Sequence, residues 1–169
     1  MTKVALTVFL VAAGAAAFAA EADRRFVQLF RFPGGKETVV IAEGDLEPRS
    51  VGSYTVRVYR ERSANFPTDE FMTGVVRPRN GTIDAVRFAD VDGDNRADLI
   101  VIMRSAGSGG YLSAEAFRYR DSSLDLIGSV AGLDKAADVI EALRDRLKLP
   151  AGVEDHSLLD QPSLRFNLT

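Results

Sequence analysis

The sequence predicts a mainly β protein, an antiparallel β-sandwich or barrel of about seven to eight strands with one amphipathic helix near the C-terminus. Three observations lead there. Short segments of β-type residues recur at regular intervals, with turn residues between them. A single segment has helical spacing. Strands and helices do not alternate as they do in proteins built around a parallel sheet.

The elements follow in order. "RFVQLFRF" (25–32) ends at Pro33-Gly34-Gly35, and "ETVVIAEG" (37–44) leads into a polar connection. "GSYTVRVYRE" (52–61) puts Tyr54, Val56 and Val58 on one face and Thr55, Arg57 and Tyr59 on the other. That period of two marks a strand with one wet face. After the polar stretch 62–70 comes "FMTGVVRP" (71–78), then Asn80-Gly81, the strongest short turn signal in the chain. "TIDAVRFAD" (82–90), "DLIVIMR" (98–104), "YLSAEAFRY" (111–119) and "LDLIGSV" (124–130) complete the strands. In "DKAADVIEALRDRLKL" (134–149), Ala137, Ile140, Leu143 and Leu147 form an apolar stripe. Asp134 is the expected N-cap of this helix and Pro150 closes it.

The N-terminus has a basic start at Lys3, an apolar run from Val4 to Ala20, and small residues at peptidase-compatible spacing. This predicts a signal peptide over residues 1–19, cleaved near 19–22, followed by a single domain over 20–169. The bland alternative is an uncleaved anchor. No second stretch approaches membrane-spanning length, so no membrane association is expected after cleavage. The chain carries 21 Lys and Arg against 24 Asp and Glu, a net charge of −3, and no basic block, which argues against nucleic acid as a partner. With no cysteine, an exported domain must be held by its core, and thiolate chemistry is excluded.

Two loops carry candidate chemistry. "DVDGDNRADL" sets Asp90, Asp92, Asp94 and Asp98 at spacings that can converge on a hard cation such as calcium. The same residues make metal-free turns by accepting backbone N–H bonds, and no bidentate glutamate follows. Asn95 stands where positive φ is often needed. The second loop, "SAGSGGYLS" (105–113), places Ser105, Gly107, Ser108, Gly109 and Gly110 directly before Tyr111. As a nucleophile Ser108 is poorly placed. Ala106 replaces the glycine of an esterase elbow, a strand follows instead of a helix, and the lone His156 has no pattern around it. The glycines let backbone approach a partner closely, and the serines and tyrosine offer hydrogen bonds and a stiff ring suited to an interface anchor. The reading is a binding protein without catalytic residues. The alternative is a calcium-dependent adhesion or carbohydrate-binding module built on Asp90–Asp98.

Three stretches resemble the periplasmic inhibitors of invertebrate-type (i-type) lysozymes from Gram-negative bacteria. They are "VIAEGDLEPRSVGSYTVRVY" (40–59), "GVVRPRNGTI" (74–83) and, most specifically, "ADVDGDNRADLIVIMRSAGSGGYLSAEAF" (89–117). The resemblance covers most of the mature chain. It implies a periplasmic, mainly antiparallel β protein that blocks i-type lysozyme by inserting the serine-glycine-tyrosine loop into the substrate cleft, protecting the cell's peptidoglycan. By position, the inhibitory residues are Ser108 and Tyr111, with Ser105, Gly107, Gly109 and Gly110 around them. No cofactor is implied, which weakens the calcium reading. The polar turn from Glu47 to Ser53 is a candidate second contact. Pairing of exposed strand edges into a homodimer stays open.

Overall fold

A computed structural model describes residues 25–63 and 65–148. The expected signal peptide, His156 and the C-terminal tail lie outside the described residues. Eight strands appear in chain order: β1 (Val27–Arg31), β2 (Glu37–Glu43), β3 (Val51–Arg60), β4 (Glu70–Asn80), β5 (Thr82–Ala89), β6 (Asp98–Arg104), β7 (Leu112–Arg120) and β8 (Ser123–Leu133). The helix α1 (Val139–Lys148) follows. β1–β4 form one antiparallel meander and β5–β8 another. The two sheets remain separate, so the sandwich is the outcome and the barrel is not.

The corner between the sheets explains why. Asn80-Gly81 turns the chain from β4 into β5, yet these strands do not pair. Gly81 has φ +93°, and its amide donates to Ser50 O at 2.7 Å. A Cβ there would lie 1.9 Å from Arg104 O and 2.7 Å from Ser105 Cα. The strongest hairpin signal in the sequence therefore builds a crossing between sheets, pressed against the end of β6.

Two layers of apolar side chains result. Between the sheets lie Val39, Ile41, Tyr54, Val56, Val58, Leu99, Val101, Met103 and Phe117. On the far side of the second sheet, Ile100, Ile102, Leu112, Ala114 and Ala116 pack with Val139 and Leu143 of α1. β6 is thus buried on both faces, which is why residues 99–103 run apolar without a break where β3 alternates. Ala114, Ala116 and Gly128 keep the sheet surface low under the helix; a Cβ on Gly128 would sit 3.2 Å from Leu147 Cδ2. The helix starts later than its sequence pattern predicts. Asp138 is the N-cap, accepting the Ile140 and Glu141 amides at 3.0 and 3.2 Å. Asp134 instead caps a preceding turn through Ala136 N at 2.9 Å. Both aspartates precede an apolar stripe, and packing of Val139 decides between them.

Candidate functional site

The β6–β7 loop, residues 105–111, is held at its base and free at its tip. Ser105 N donates to Tyr111 O at 2.9 Å, closing the neck, and Gly110 N donates to Gly107 O at 3.1 Å around a tight turn. Gly110 has φ +56°, a conformation that disfavours side chains. Ser108 is exposed at the crest. Tyr111 is 55% exposed, and its ring lies over Gly109, where an added Cβ would be 2.4 Å from Cε2. The turn thus gathers Ser108, Gly109 and Tyr111 into one small protruding surface, with Gly107 beside them in open space. Ser105 differs from Ser108, because its Oγ is buried and has no hydrogen-bond partner among the described residues.

The acidic loop stands at the other end of β6, about 20 Å away given the rise of a seven-residue strand. Carboxylate oxygens of Asp90, Asp92 and Asp98 lie within 4.8 Å of one another. Asp90 accepts Gly93 N at 2.7 Å and Asn95 N at 2.9 Å, Asp92 accepts Asp94 N at 3.0 Å, and Asp94 accepts Arg96 N at 2.8 Å. Arg118 and Arg120 of β7 pair with Asp92 and Asp94. Asp98 is buried and accepts Val91 N at 3.2 Å. Burial pushes its carboxyl above the ordinary range, helped by the charges of Asp94 and Asp90 and opposed by the Val91 N–H. Asn95 has φ +63°, the strained position expected of it. The aspartates are brought together as a cluster, but each already serves a turn or an arginine.

A family model described as periplasmic lysozyme inhibitor of I-type lysozyme matches residues 24–147. The chain belongs to that family. Among similar solved structures is PliI-Ah, periplasmic lysozyme inhibitor of I-type lysozyme from Aeromonas hydrophila. It is 43% identical, with 70% of this chain and 98% of that chain covered and a TM-score of 0.66. A second is Aeromonas hydrophila PliI in complex with Meretrix lusoria lysozyme, 42% identical, covering 75% of this chain and 98% of that chain, also at TM-score 0.66. No curated protein matches the chain.

In this PliI-family chain the β2–β3 turn lies at the same end of the sandwich as the 105–111 loop. Glu47 is its organiser. Its carboxylate accepts the Ser53 amide and, at 2.8 Å, the Ser53 hydroxyl, and the Ser53 amide is the main reason its pKa lies below the usual glutamate value. Arg79, wholly buried, donates to Arg49 O at 2.8 Å, Pro48 O at 3.1 Å and Ser53 O at 3.3 Å, and also to Gly81 O. One guanidinium so ties the β2–β3 turn to the corner beneath the glycine-rich loop. At the turn's tip Leu46 is 96% exposed with φ +60°.

Sequence reasoning missed Arg79, Leu46, Asp84 and Arg104. Arg79 sits in an alternating strand where any charge reads as solvent-facing, and only its inward register reveals it. Asp84 and Arg104 become partners through an irregular strand pairing that no local pattern encodes.

Proposed function

We propose that the protein inhibits an i-type lysozyme by lodging Ser108–Tyr111 in the substrate cleft, and that it does so in the periplasm after export. Family membership over residues 24–147 carries the inhibitory reading. What supports the loop is its form: a protruding turn, closed at the neck, presenting Ser108 and Tyr111 from the paired strands β6 and β7. Lysozymes hydrolyse their substrate between two carboxyl groups with different protonation roles. A serine hydroxyl and a tyrosine O–H can hydrogen-bond such groups while the ring fills a sugar subsite. Occlusion alone then stops the enzyme, and the inhibitor catalyses nothing. Because the hairpin is ordered beforehand, little conformational entropy is lost on docking.

The turn from Glu47 to Ser53, with Leu46 before it, is proposed as a second contact. An exposed leucine in a left-handed conformation is costly on a surface with no partner. The test is a titration of the mature protein against i-type, chicken-type and goose-type lysozymes in a peptidoglycan lysis assay. Lysis by the i-type enzyme stops at stoichiometric inhibitor, with or without chelator, and the other types continue. Unimpeded i-type lysis refutes the proposal.

A further inference from the structure

Arg104 ends β6 and makes three hydrogen bonds to two partners. Its Nε and one terminal nitrogen donate to the two carboxylate oxygens of Asp84 at 2.9 and 2.8 Å. Its other terminal nitrogen donates to the carbonyl oxygen of Gly110 at 3.2 Å. Asp84 is available because β5 bulges there. Ile83 pairs with Met103 and Ala85 with Ile102, leaving Asp84 opposite no residue. A bulge of this kind re-aims a side chain. The carbonyl that receives the third bond belongs to the peptide joining Gly110 to Tyr111, so fixing it fixes the direction from which Tyr111 leaves the turn.

From this geometry we infer that Asp84 and Arg104 are positioning residues, a brace that presets Tyr111 for docking. The inference rests on the loop reading above. The guanidinium is planar, so anchoring two of its nitrogens on Asp84 dictates where the third points. A lysine at 104 would keep the charge and lose that direction. Glycines at 107, 109 and 110 give the turn its shape at the cost of freedom in the unbound state. The brace removes part of that freedom before the partner arrives, which is where a preorganised binder gains affinity.

The experiment compares Asp84→Asn and Arg104→Lys with the parent and with Tyr111→Ala. In the free protein, nitrogen-15 relaxation should show the Gly109, Gly110 and Tyr111 amides more mobile in both brace variants. The thermal midpoint should move by no more than about 4 °C, since a half-exposed ion pair adds little stability. Inhibition of i-type lysozyme should weaken roughly tenfold. In a Tyr111→Ala background the Asp84→Asn change should cost nothing further, because the brace acts through the ring. Amides as rigid as the parent's overturn the inference. So does an Asp84→Asn loss that persists undiminished without the ring, which would make Arg104 a direct contact. Failure of the loop reading looks different: Tyr111→Ala then inhibits like the parent, while relaxation still decides whether the brace orders the loop.

Discussion

Tyr54 and Glu115 meet across the two sheets, the tyrosine hydroxyl donating a 2.6 Å hydrogen bond to Glu115 Oε2 over a separation of 61 positions. Arg77 completes the site, giving Nε to the same oxygen and a terminal nitrogen to the other, both at 2.8 Å. A carboxylate in an apolar interior is tolerable only when satisfied in this way. Tyr54→Phe removes one of three bonds and should cost about 1–2 kcal/mol at neutral pH, read by denaturant unfolding. Burial, then the bond to Glu115, raises the Tyr54 pKa far above its ordinary 10.0. Above pH 10 the unfolded chain gives up this proton and the folded one keeps it, so the parent loses stability there. The gap between parent and variant should therefore narrow from pH 10 upward. A gap that widens contradicts the buried assignment.

Ser108→Ala and Tyr111→Ala should each weaken lysozyme binding by about 2 kcal/mol or more, typical of interface anchors. Both residues are exposed, so the melting temperature should stay near the parent's. Calorimetric titration with an i-type lysozyme measures the first quantity and a thermal scan the second. If both variants bind with parental affinity, the loop assignment is wrong.

Gly81→Ala tests the corner. A Cβ would meet the Arg104 carbonyl at 1.9 Å, and φ +93° is unfavourable for alanine in any case. The expected loss is at least about 2 kcal/mol of stability, since neither side can yield without moving backbone. Because the obstacle is the residue preceding the 105–111 loop, the amide spectrum of that loop should shift as well. A variant with parental stability and an unshifted loop would show that the corner is not packed against β6.

The strands were legible because each is bounded by turn chemistry and carries a face pattern. β3 alternates since one side meets the core, and β6 does not alternate since α1 covers its other side. Pairing was less legible. Asn80-Gly81 signals a turn but not whether the strands beside it pair, and here a buried Arg79 and the β6 end decide that they do not. The same limit applies to the loop. Its glycines and Tyr111 stand out in sequence, whereas the residues that hold it, Asp84 and Arg104, lie twenty positions apart and meet through a bulge.

The acidic loop yields the last prediction, because its chemistry is separable from the binding loop by the length of β6. Asp98 has a raised folded pKa, mainly from burial. For such a group the stabilising contribution is present below the unfolded value and lost as pH rises through the folded one. At pH 7 the ionised carboxyl therefore costs stability, and Asp98→Asn, which can still accept the Val91 N–H, should melt at or above the parent temperature. That advantage should vanish near pH 3, where both states of the parent hold the proton. Asp92→Ala should act oppositely, lowering the midpoint by stripping Arg118 of its partner and the Asp94 amide of its acceptor, with lysozyme affinity unchanged. Calcium should leave the parent's midpoint in place, since Arg118, Arg120 and backbone N–H groups already occupy the aspartates around the cluster. A calcium-dependent rise that disappears in Asp98→Asn would reverse this assignment and make the loop a metal site.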